Sequence, residues 1–121
     1  MIKSIKLPVS APFHCNLMSK ATQIMSKELN ELNFIQSENK LISNVTAKEI
    51  SSTDELKDLL IKQIENRVRW RESVINMINN DVNHFIEIGP GKVLSGLVKR
   101  INKVVKVSTI NNQGDIEGLE I

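Results

Sequence analysis

The chain is 121 residues long, enough for one small domain or one piece of a larger one, with roughly two-thirds of its unfolded surface available for burial. Hydrophobic residues at 40% and charged residues at 25% lie near globular averages, which excludes collagen-like, coiled-coil and mostly disordered chains. A net charge of +2 from 16 basic and 14 acidic residues, with no tyrosine and one tryptophan, offers neither a basic footprint nor a stacking platform for nucleic acid.

In chain order, the hydrophobic periods alternate between strand and helix. Ile5, Leu7 and Val9 alternate with other residues in Lys3–Ser10, a short strand stopped by the Pro8 and Pro12 region. Leu17, Ala21, Ile24, Met25, Leu29 and Leu32 then recur at helical spacing, predicting one long amphipathic helix over 15–33. KLISNV, residues 40–45, reads as a second strand. Thr53 or Asp54 caps the next helix, whose acidic Glu55 and Asp58 suit the positive end of the dipole. Leu56, Leu59, Leu60, Ile64 and Val68 form its inner face.

A further helix covers Trp70–Asn79, with Val74, Met77 and Ile78 on the Trp70 side and Asn79, Asn80 and Asp81 ending it. HFIEI is a strand, Gly89-Pro90-Gly91 a turn, and Val93, Leu94, Leu97 and Ile101 mark a short helix. Lys103–Thr109 is the last strand, and the tail after Asn111 is expected to fray. Strands separated by helices predict an α/β fold with parallel strands, because each parallel crossover needs an intervening element. No apolar run approaches ~18 residues, so no membrane-spanning helix is expected. MIKSIKLPVSAPF lacks the apolar length of a secretory signal, and one cysteine builds no disulfide framework, so the expected setting is a reducing cytoplasm.

The chemistry-bearing residues are few. No Gly-x-Ser-x-Gly elbow occurs. Gly89-Pro90-Gly91-Lys92 resembles half a phosphate loop, but Ile86 stands where a glycine is needed and Pro90 removes an amide, so a tight strand-to-helix turn is expected. His14, Cys15 and His84 do not have metal-ligand spacing, and no metal is expected. His14 lies between a strand and a long helix, at the sheet edge where open α/β folds place their ligand crevices. Its imidazole suits a general base, and a plain loop or capping residue is the alternative. Cys15 reads as a bland, covered thiol. Gln63 stands on or beside the apolar stripe of its helix, either bonded to a specific partner or half in solvent at the helix boundary.

LPVSAPFHCNLM resembles the active-site histidine segment of malonyl-CoA:acyl-carrier-protein transacylases. LISNVTAKEI, LLIKQIENRVRWRESV and FIEIGPGKVLSGLVKRI match further segments of that family, in order and over nearly the whole chain. The chain is identified as a C-terminal portion of such an enzyme. The resemblance implies a partial parallel sheet with flanking helices, the C-terminal part of an α/β-hydrolase-like large domain. It divides the chain into 1–10, the last strand of a ferredoxin-like subdomain, 11–110, the large-domain part, and 111–121, a frayed tail. His14 matches the family's general base, and Gln63 the glutamine whose main-chain carbonyl orients that base in place of an aspartate. Phe13 resembles the subgroup accepting malonyl groups, where a ring crowds an α-methyl branch.

Malonyl-CoA and acyl carrier protein are the implied substrate and partner, with no cofactor. The nucleophilic serine, the arginine gripping the malonate carboxylate and the oxyanion-hole glutamine belong to segments that this sequence does not match. Arg67, Arg69, Arg71 and Arg100 lie outside the matching segment, so no substitute clamp is expected. A base without a nucleophile predicts inactivity alone, exposed apolar faces and an unpaired sheet edge, with a separate serine-bearing chain as one way to complete the site. A non-catalytic module that binds the carrier through Arg67–Arg71, Lys99, Arg100, Lys103 and Lys106, and the remnant of a decayed gene, are the alternatives.

Overall fold

The computed structural model describes residues 10–119, which fall into two compact units divided between Arg69 and Trp70. The strand expected at Ile5–Val9 lies outside the described residues.

In the first unit a short 3-10 turn, Asn16–Met18, leads into α1 (Ser19–Glu31). The regular helix starts later than 15 because residues 12–15 are spent on turns, with His14 in the left-handed region at φ 60°. α1 packs on α2 (Thr53–Lys62), yet no residue of α1 is buried. Ala21 and Leu29 are partly covered, while Ile24 and Met25 are exposed. The apolar stripe read from the periodicity therefore exists, and much of it faces outward.

KLISNV is not a strand. Its one ladder contact is an isolated antiparallel bridge between Ile42 and Glu49. The Ser43 hydroxyl accepts from the amides of Val45 (3.1 Å) and Thr46 (3.3 Å), and its carbonyl from that of Ala47 (2.9 Å). These local bonds close a tight loop, with Ala47 at φ 57°, and outcompete an extended ladder. Ser43 and Ala47 are both buried in it.

The cap of α2 is Ser52, not Thr53 or Asp54: its hydroxyl accepts from the Glu55 amide at 3.1 Å. Glu55 reaches back to the hydroxyl (2.7 Å) and amide (2.8 Å) of Ser51, and those two donors hold its carboxyl below the ordinary range. The helix ends at Lys62, so Ile64 and Val68 lie beyond it.

The second unit runs α3 (Trp70–Asn79), β1 (His84–Ile88), α4 (Val93–Ile101), β2 (Lys106–Ile110) and α5 (Gln113–Glu117). β1 and β2 are parallel, in a register that sets His84 opposite Lys106 and Ile88 opposite Ile110. α4 is the crossover and packs on both strands. Val74, Val98 and Val105 form the core, with Trp70, Met77, Ile78, Phe85, Ile101 and Val107 against it. β2 starts after Lys103 because the Asn102 side chain accepts from the amides of Val104 and Val105 and holds them in a turn. The stretch after Asn111 does not simply fray: Asn112 and Asp115 form a reciprocal capping box that starts α5. Among the described residues the sheet has two strands, so each keeps one unpaired edge.

Gly89 and Gly91, at φ 133° and 99°, make the sharp turn from β1 into α4. Lys92, at the cap position of α4, offers no side-chain acceptor. Glu87 of β1 does this instead, accepting from the Leu94 amide at 3.1 Å and the Ser95 amide at 2.7 Å. The amides that a phosphate would need are thus taken by the chain's own carboxylate. Hydrogen bonding from Ser95, and then from the Leu94 amide, holds the Glu87 carboxyl below its ordinary range. A carboxyl lowered in the folded state contributes stability above its unfolded pKa and loses it as pH falls through the folded value. Glu87→Gln is therefore expected to melt on the order of 5 °C lower at neutral pH. In strongly acidic buffer, where the carboxyl is protonated in both states, thermal melts of the two chains should converge.

Candidate active site

His14 follows Phe13 in a turn closed by a Phe13 amide bond to the Ala11 carbonyl (3.0 Å) and a Cys15 thiol bond to the Pro12 carbonyl (3.2 Å). Its positive φ is uncommon for any residue other than glycine, and strain of this kind costs roughly 1–3 kcal/mol. The turn presents the imidazole at the surface, and its Nδ1 lies 2.8 Å from the main-chain oxygen of Gln63. A carbonyl oxygen only accepts, so Nδ1 carries the proton of this bond. The neutral ring then has its lone pair on Nε2.

The carbonyl is available because of where α2 stops. The last carbonyls of a helix have no intrahelical donor. Gln63 is the C-cap of α2, its own amide still bonded to Leu59 at 3.0 Å. Beyond it, the amide of Ile64 turns back to the carbonyl of Ile61, and those of Glu65 and Asn66 to the carbonyl of Lys62. The Gln63 carbonyl receives the imidazole. Its side-chain oxygen accepts from Asn44 Nδ2 at 3.1 Å, so this half-buried amide has a specific partner. The glutamine also borders an apolar recess of about 220 Å³ with Leu41, Ile50, Leu56, Leu59 and Leu60.

Of the residues singled out in the sequence, His14 and Gln63 are brought together across 49 positions of chain. Phe13 is 59% exposed beside the histidine. Arg69 has a bracing role: its amide donates to the Asn44 carbonyl at 2.8 Å and its guanidinium to the Thr46 carbonyl at 3.1 Å. Asn44 carries no signal in the sequence, since nothing in the composition of LISNVTAKEI separates a bonded asparagine from a solvated one. A positioned neutral imidazole with an accessible Nε2 can take a proton and return it. Among the described residues no hydroxyl or thiol is hydrogen-bonded to Nε2, and no three His, Cys, Asp or Glu side chains gather to hold a metal ion.

No family model matches the sequence. The malonyl CoA-acyl carrier protein transacylase of Bacillus subtilis (strain 168) is 39% identical over 115 residues, which are 95% of this chain and 36% of that protein. The crystal structure of the malonyl CoA-acyl carrier protein transacylase from Clostridium perfringens superposes with a TM-score of 0.86 at 39% identity, covering 94% of this chain and 36% of that one. By sequence and fold, the chain is similar to the C-terminal portion of malonyl CoA-acyl carrier protein transacylases. The acyl-carrier-protein-S-malonyltransferase of Bartonella henselae agrees, with a TM-score of 0.86 at 43% identity over 93% of this chain and 36% of its own. A type II PKS acyl-carrier protein in complex with its malonyl-transacylase gives 0.85 at 33% identity, over 92% and 36%. The chain spans about 36% of the length of the curated transacylases it matches. Its helices and small parallel sheet are those of a piece of the transacylase fold.

Proposed function

We propose that the chain supplies the general-base part of a malonyl transacylase, which moves malonyl from coenzyme A to acyl carrier protein in cytoplasmic fatty acid biosynthesis. The observation carrying this reading is the 2.8 Å contact between His14 Nδ1 and the Gln63 carbonyl. It fixes the tautomer in which Nε2 accepts a proton, the role an aspartate serves in a Ser-His-Asp triad. His14 is the base, Gln63 its main-chain orienter and Phe13 a contact that favours malonyl over methylmalonyl. The matching segment 11–110 belongs to the large domain.

In this reaction Nε2 removes the proton of a serine hydroxyl as that oxygen attacks the malonyl thioester. The imidazolium returns the proton to the departing thiolate of coenzyme A, leaving malonyl-serine. Nε2 then takes the proton of the carrier's phosphopantetheine thiol, whose sulfur attacks the ester, and gives it back to the serine oxygen. No cofactor enters. The serine comes from the part of the fold equivalent to the relatives' remaining length, in the same or a separate chain. The 121 residues alone are inactive.

Purified chain should transfer no malonyl to acyl carrier protein, and co-expression with the remaining segment of a relative should restore transfer. In the restored enzyme Gln63→Ala should cost less than about tenfold, because the orienting oxygen belongs to the main chain. Transfer by the isolated chain that survives His14→Ala would overturn the proposal. Salt-sensitive carrier binding without restored transfer would favour a non-catalytic docking module.

A further inference from the structure

We propose that Asn44 is a positioning residue for His14, acting through the side chain of Gln63. The inference rests on the reading of His14 as the base, and concerns what aims the carbonyl at it. Gln63 is the C-cap of α2, still helical in its own backbone but with no following turn of helix to take up its carbonyl. Besides the helical bond from its amide to Leu59, two contacts hold it from outside α2: His14 on its main-chain oxygen and Asn44 on its side-chain oxygen. One is the functional contact. The other is the available brace.

Asn44 is itself anchored. Its carbonyl accepts from the Arg69 amide at 2.8 Å, and the Arg69 guanidinium holds Thr46 one turn of the loop away. Ser43, buried beside it, bonds the amides of Val45 and Thr46. The hydrogen bonds thus run from a closed loop, through Asn44 and Gln63, to the imidazole. Asn44 is exposed, and an exposed amide–amide bond adds little to folding stability, so its place behind the base's acceptor is what gives it consequence.

The test is the side-chain 15N spectrum of the two histidines in the full chain, at a pH where both rings are neutral. His14 should be mainly the Nδ1–H tautomer. Asn44→Ala should raise its Nε2–H share several-fold and leave His84, bonded to Ser108 in the other unit, unchanged. Gln63→Met removes only the side-chain acceptor and should do the same, and the double variant should add nothing. Asn44→Asp, which Gln63 can meet with its amide nitrogen, should keep the original tautomer. An unchanged His14 tautomer in Gln63→Met, with the backbone amide spectrum intact, overturns the inference even if Asn44→Ala fails to fold. The readout needs no transfer activity, so a failed transacylase reading and a failed positioning role give different results.

Discussion

His14→Ala, in enzyme restored with the segment that completes the relatives' length, is expected to lower malonyl transfer by roughly 10²–10⁴-fold, the usual share of a positioned acid–base group. The loss should fall on kcat, since the proton moves in the transition state. Added imidazole should recover part of the rate, because the missing element is a proton acceptor rather than a scaffold. Steady-state kinetics of the variant with and without imidazole provide the measurement. A rate within about threefold of the parent would remove His14 from the chemistry, whatever its bond to Gln63.

Val74→Ala is expected to destabilise the second unit by about 2–3 kcal/mol, from two lost carbons and the cavity they leave. Val74 is fully buried at the centre of the Val98–Val105 cluster, so the site has no solvent side on which to relax. A unit this small has only a few kcal/mol in reserve, and the substitution should bring it close to its midpoint at room temperature. Trp70 is the chain's one tryptophan and packs against the cluster, so its fluorescence in urea reports this unit specifically. Val104→Ala, at a side chain 92% exposed, is the control and should stay within about 0.5 kcal/mol. Equal midpoints for the two variants would show that the valine cluster is not what holds the unit together.

Where periodicity and punctuation agreed, the sequence was legible. α3, β1 and α4 have the expected ends because Asn-Asn-Asp, Gly-Pro-Gly and an unbroken apolar stripe bound them. KLISNV misled because its apolar ends suggest a strand while Ser43 bonds its own neighbours, and an alanine gives no sign of the left-handed geometry found at Ala47. The cap of α2 was readable: Ser52-Thr53-Asp54-Glu55 has the spacing of a capping box, and the adjacent serines and threonine obscured it. Glu87 capping a helix seven residues on leaves no such trace, since that distance is set by the two glycines of the turn. For His14 and Gln63, residue chemistry alone offered a base and a boundary amide; their meeting depends on a helix end that period counting placed several residues late.

The parallel pair of β1 and β2 has a kinetic consequence. Partners in its register are about 20 residues apart in the chain, with α4 filling the interval, so closing the pair demands little loop entropy. That separation is short for a parallel pair, so it should close before pairings that span more of the chain. The ribbon should therefore exist early, with its two outer edges already set out, before slower and more distant pairings are made. Completion of the transacylase fold would then be a docking step onto a formed template, with a rate that rises with the concentration of the complementary piece when that piece is supplied as a separate chain.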